Sequence, residues 1–187
     1  MRVRPLTSFT ALRLWSVALA LLAGASPGFA AECESRLSQS EVDYGRLHRG
    51  ELPDMPSGQY WLALDTHRLT LTVVCQTPAP MKLRFNAASV GSGVFRMGNG
   101  GQFTVHINDA VIDGRAAMLV RDGQPELRPE QSFDAGQSIQ AQLPGGEMTA
   151  RHFTAQIAVQ AWLDMRQLQV RDETVVDGAG TFELLTD

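Results

Sequence analysis

Apolar and polar residues alternate along most of this chain, and the alternation predicts strands rather than helices. Over 68–75, Leu69, Leu71, Val73 and Cys75 share one face, while Arg68, Thr70 and Thr72 share the other. Residues branched at Cβ suit a pleated surface with one buried side. A strand or arm is expected at 59–64, and alternation resumes at 81–85 and again at 102–107, where Phe103, Val105 and Ile107 line up. An extended region follows over 111–120, with a further strand at 138–143. Over 152–163, Phe153, Ala155, Ile157, Val159, Ala161 and Leu163 all fall on one face, so a strand fits this stretch better than a helix. The last strand is expected at 181–185, with Phe182 and Leu184 together.

Turn chemistry divides these runs. Thr77-Pro78-Ala79-Pro80 should end the 68–75 strand, because proline cannot donate to a ladder. Asn99-Gly100 closes a glycine-rich stretch over 88–101, and Asp113-Gly114 interrupts the extended region. Asp122-Gly123 with Pro125, then Pro144-Gly145-Gly146, mark later corners. Short strands between such turns, with one core, predict an all-β antiparallel sandwich.

The N-terminus has a different character. Arg2, Arg4 and Arg13 lead into an apolar run over 14–23, and Gly28 and Ala30 sit where a signal peptidase reads small residues. The run is shorter than the ~20 residues a membrane span needs. A signal peptide over 1–30 and a single domain over 31–187 are therefore expected, with no membrane span after cleavage. Export places the protein in the periplasm, and from there in a fimbrium, on the cell surface or in the medium. Removal of 30 residues from 187 leaves 157, enough for one domain with its own core. Three arginines leave with the leader, so the net charge falls from −4 to −7, and Lys82 is the sole lysine. That balance argues against nucleic acid as a partner. In an oxidising compartment the two cysteines, Cys33 and Cys75, are expected to pair within one molecule.

Catalytic chemistry is not signalled. His48, His67, His106 and His152 show no metal-site spacing. No nucleophile elbow, phosphate loop or dinucleotide fingerprint occurs. Asp109 and Asp113 do not follow the ligand spacing of a calcium loop. No catalytic residue, metal or cofactor is expected. Among Tyr44, Tyr60, Trp61 and Trp162, the last falls on the polar side of its strand. It is either a sugar-stacking platform or a residue packed beneath a loop or the second sheet.

In order and spacing, the chain resembles the fimbrial subunits of chaperone–usher systems in Gram-negative bacteria, and more narrowly single-domain secreted proteins of that kind. The likeness rests on Cys33, Val42-Asp43-Tyr44-Gly45, the 69–75 strand, Phe95-Arg96-Met97-Gly98 and the 177–184 segment. It implies an immunoglobulin-like, pilin-type sandwich with an incomplete final strand, and a disulfide joining the first two strands. It also implies a periplasmic pilus chaperone as partner, with an usher or neighbouring subunit, and a host or surface glycan as a target. Thr181, Phe182 and Leu184 would form the strand-exchange element. Only Ala31 and Glu32 would precede Cys33 after cleavage, a reach of at most ~7 Å. The chain could therefore accept a strand but not donate one. It also ends Leu185-Thr186-Asp187, without the penultimate tyrosine of major pilins. A tip, terminating or accessory role is expected, acting by binding. The alternative is a freestanding exported sandwich that binds carbohydrate or protein.

Overall fold

A computed structural model describes residues 33–48, 56–167 and 175–186. The expected signal peptide lies outside the described residues. All regular structure among them is strand, arranged in two antiparallel sheets that form a β-sandwich. The larger sheet runs β1 (Cys33–Leu37), β3 (His67–Pro80), β13 (Thr149–Asp164), β7 (Gly101–Ile112), β6 (Val94–Met97) and β5 (Ser89–Gly91). Three short strands extend its columns: β2 (Trp61–Ala63) pairs β13, while β8 (Arg115–Ala116) and β11 (Glu130–Ser132) pair β7. The smaller sheet runs β10 (Gln124–Arg128), β9 (Met118–Arg121), β12 (Ser138–Gln142), β4 (Lys82–Ala87) and β14 (Gly180–Leu185).

Alternation sets the register. The inward set of β3 is Leu69, Leu71, Val73 and Cys75, as the sequence predicts, and all four are buried. Phe153, Ala155 and Ile157 of β13 pair directly with Val73, Leu71 and Leu69, so three apolar rows align. Ile157 also faces Ile107 of β7. The smaller sheet closes over them with Leu83, Phe85, Leu119, Ile139 and Ala141. A one-residue slip in any of these strands would turn its apolar set to water, which pins the pairing. Each large side chain so buried stabilises the fold by roughly 1.5–3 kcal/mol.

The chain passes from one sheet to the other across a single residue. Met81, fully buried between β3 and β4, donates its N–H to the Met148 carbonyl at 3.1 Å and accepts from the Ala141 N–H at 2.9 Å. β3 and β4 are thus two halves of one bent strand.

Three expectations need correction. The Pro78–Pro80 segment does not end the strand, since β3 continues to Pro80. The ladder with β13 shifts register between Val74 and Ala79, and β1 pairs β3 no further than Cys75, so these prolines remove few ladder bonds. The glycine-rich stretch is not only a turn, because it carries β5 and β6, which pair with each other and then with β7. The 111–120 region is divided between sheets: β7 and β8 form a hairpin in one, and β9 lies in the other. Asp113 and Asp109 hold left-handed backbone at φ of 45° and 50°. The Asp113 carboxylate accepts the His152 N–H at 2.8 Å, which ties the β7–β8 turn to β13.

Cys33 and Cys75 are bonded, directly opposite each other in the β1–β3 ladder. Ser38 extends the same seam, donating its N–H to the Thr70 carbonyl at 2.9 Å and accepting the Thr70 N–H on its hydroxyl at 3.0 Å. The bond encloses a 42-residue separation. Replacing both cysteines with serine should lower unfolding stability by about 2–4 kcal/mol in denaturant titration. An unchanged midpoint would show that β1 is held by its ladder alone.

Candidate functional site

Every sheet in an open sandwich ends in edge strands, and these must be shielded from pairing with other chains. β10 is shielded by Pro125 and by the Glu126–Arg128 ion pair at 2.6 Å. β5 has three residues and ends in Gly91. β1 carries Glu34 and Arg36, paired at 2.6 Å, and is fixed by the disulfide. β14 differs from all three. It runs six residues, and Glu183 is its only charged side chain. That carboxylate is drawn back over β4, where it accepts from Asn86 Nδ2 at 3.0 Å and lies 3.6 Å from Arg84. β4 pairs one side of β14 along its full length, from Gly180↔Ala87 to Leu185↔Lys82. Among the described residues no strand pairs the other side.

The side chains of β14 meet the core only in part. Phe182, Leu184 and Leu185 are half-buried, while Thr181 is exposed. Phe182 joins a cluster of rings centred on Phe85, with centroid separations of 4.9 Å to Phe85 and 5.5 Å to Phe133. Phe85 also meets Phe95 at 5.0 Å and Phe103 at 6.3 Å, both edge-on. Such ring pairs contribute about 0.5–1.5 kcal/mol each beyond simple burial. Gly180 starts the strand because nothing larger fits: a Cβ there would lie 2.1 Å from Cζ of Phe85. Phe182 and Leu184 thus share a face, as the alternation predicts, and Thr181 lies opposite. The burial of Phe85 follows the alternation over 81–85, whereas the contribution of Phe133, which follows β11 as a lone aromatic, carries no comparable sequence signal.

The remaining candidates are scattered. His67 is half-buried beneath Tyr44, ring to ring at 4.7 Å. The Tyr44 hydroxyl is buried without a hydrogen-bond partner, and burial, with Asp65 adding to it, pushes its pKa up. His106 lies 3.3 Å from Glu130. His48 and His152 are exposed. Among the described residues no group of three or more histidine, cysteine or carboxylate side chains could hold a metal ion. Trp162 is half-buried, opposite Ala63 and Gln102, whereas Trp61 is 41% exposed.

One buried charge organises the far end of β13. Asp164 is 1% exposed and grips Arg166 with both oxygens, at 2.9 and 2.7 Å. The hydrogen-bonded guanidinium holds its carboxyl down to about 2, well below the usual 3.8. Arg166 in turn lies 4.6 Å above the Tyr60 ring.

No protein-family model matches the chain, and no curated protein matches its sequence.

Two outcomes follow from this geometry. Phe85→Ala should cost about 3–5 kcal/mol and Phe182→Ala clearly less, because only the first ring is enclosed. Equal losses in denaturant titration would mean that β14 is as deeply packed as β4. The second concerns acid. A carboxyl depressed in the folded state contributes stability above its unfolded pKa and loses it as pH falls through the folded one. The Asp164 contribution should therefore disappear between pH 3.8 and about 2. Stability of Asp164→Asn should be lower at neutral pH and fall less steeply over that window. A parallel pH profile would contradict this.

Proposed function

We propose that this chain is a fimbrial-type subunit or adhesin-like protein, assembled through a periplasmic chaperone and acting by binding, in a tip, terminating or accessory position. The observation that carries this reading is the outer edge of β14, unpaired among the described residues, in a six-residue strand whose alternate apolar side chains are only half-buried. Strand order adds support. An immunoglobulin-type sandwich places its first, second, fifth and fourth strands in one sheet, and its third and sixth, then seventh, in the other. The row β1-β3-β13-β7 and the pair β4-β14 follow that pattern, with β9 and β12 as additions. The seventh position would lie against β14, on the side where no described strand is found.

An incoming extended segment would gain main-chain hydrogen bonds from that edge and seat alternate apolar side chains beside Phe182 and Leu184. A transient chaperone and a permanent neighbour would compete for the same position. The disulfide serves this arrangement by securing β1, the other long-range edge, against exchange.

A second reading, a freestanding exported sandwich that binds carbohydrate or protein, is favoured by one observation. Phe182 already packs on Phe85 and Phe133, so the core around β14 is partly closed without help.

Co-purification separates the two. Expressed in a periplasm with a cognate pilus chaperone, the wild-type chain should elute as a one-to-one complex, and Phe182→Asp or Leu184→Asp should abolish it. Expressed alone, it should self-associate or be degraded. A stable monomer obtained without a chaperone, with aspartate variants that lose only folding stability, would overturn the fimbrial reading.

A further inference from the structure

Tyr60 and Trp61 stand side by side at the start of β2, 46% and 41% exposed. Tyr60, just before the strand, lies beneath Arg166, but an exposed tryptophan within a strand contributes little to folding and is informative. Trp61 lines a cavity of about 280 Å³, shared with Val90, Arg96, Asn99, Gln102 and Gln167 and with the glycine turn from Gly98 to Gly101. We propose that this cavity binds a single saccharide ring that bears a carboxylate. The proposal does not depend on whether β14 accepts a strand.

Each wall supplies one part of sugar recognition. Trp61 offers a flat apolar surface for the C–H face of a pyranose. Asn99, Gln102 and Gln167 present planar amides, each able to donate to one hydroxyl oxygen and accept from another. The glycine turn adds backbone groups to the lining, and Val176 packs against Gly98 and Gly101. Arg96 is exposed, and no described acidic side chain pairs with it. In a protein with an excess of acidic residues, a guanidinium that lines this cavity, unpaired with any described carboxylate, suits a carboxylate ligand, which it can bind through two parallel hydrogen bonds. The volume is at the low end of the ~300–1,000 Å³ common for ligand sites, which favours one ring over an extended chain.

The walls are fixed before any ligand arrives. Arg96 and Gln102 are directly paired across β6 and β7. Asp164 pairs with Trp61 in the β2–β13 ladder and donates its N–H to the Gly100 carbonyl at 2.7 Å. The Met165 N–H bonds the Tyr60 carbonyl at 2.8 Å, and the Gln167 N–H bonds that of Asp164 at 3.0 Å. One short segment therefore ties Trp61, the glycine turn and Gln167 together. Gly101 allows the turn to close, since a Cβ there would meet the Met97 carbonyl oxygen at 2.8 Å. A site held in this way spends little binding energy on ordering itself. A larger cavity, about 470 Å³ beside His106, Arg121 and Glu130, has no tryptophan or tyrosine in its lining, and Arg121 there is already committed to Ser132.

Saturation-transfer NMR on the purified protein tests the assignment, with methyl β-glucuronide and N-acetylneuraminic acid as acidic probes and methyl β-glucoside as the neutral control. At least one acidic probe should bind with a dissociation constant near ~1 mM and more tightly than the glucoside. Trp61→Ala and Arg96→Gln should each weaken it by about tenfold or more, Trp61→Phe should largely retain it, and Trp162→Phe should leave it unchanged. Circular dichroism of each variant establishes that the fold is intact. No transfer from either acidic sugar, equal binding of the neutral one, or binding undiminished in Trp61→Ala would each overturn the proposal.

Discussion

One aromatic ring, among the apolar residues that join the two sheets, decides where β14 sits. Phe85, at the centre of β4, touches Phe95 and Phe103 from the larger sheet, Phe133 from the loop after β11, and Phe182 from β14. Without that hub the smaller sheet would have little to hold β14, whose apolar residues reach the core only on one side. The glycine at 180 is a consequence of the same ring, since any side chain there would displace it. Packing of this density makes the position of β14 a property of the whole core rather than of its own short sequence. The strand is therefore fixed in place while its outer edge stays unpaired among the described residues.

That combination distinguishes β14 from the other edges. β1, β5 and β10 are shortened, charged or covalently fastened, which are common means of keeping sheets from joining edge to edge. β14 uses none of these, and its one carboxylate is turned toward Arg84 and Asn86. An unguarded strand is a liability in a protein that works alone and an asset in one that is completed by a partner. The cavity proposed to take a saccharide is formed by other elements, β2, β5, β6, β7 and the residues just after β13. A strand-accepting edge and a ligand site on separate elements are compatible with a subunit that is attached by one surface and binds through another.

The sequence makes the long strands legible because their alternation is strict. Leu69 to Cys75 and Phe153 to Leu163 each name their buried face without help, and both lie on it. Short strands are hidden for a physical reason. β5, β10 and β11 have three to five residues, too few for a period to register, and pairing with a longer neighbour forms them. Proline misleads in β3 because its effect depends on whether a partner strand lies alongside, which no local pattern reveals. The face shared by Phe182 and Leu184 is readable from alternation, but the edge beside it, unpaired among the described residues, is a matter of topology. Asp164 is similarly silent: a carboxylate after an apolar run reads as a strand end, and only the fold shows it buried beneath Arg166.

Amide hydrogen exchange along β14 tests the account most directly. In an edge strand, alternate N–H groups point to the neighbour and the intervening ones point to solvent. The isolated protein should show a two-residue period over 180–185, with the amides directed to β4 protected and the others exchanging quickly. Those fast amides should slow when a chaperone or donor segment binds. Uniform protection of the whole strand in the free protein would mean that its outer edge is already occupied, and would contradict the account.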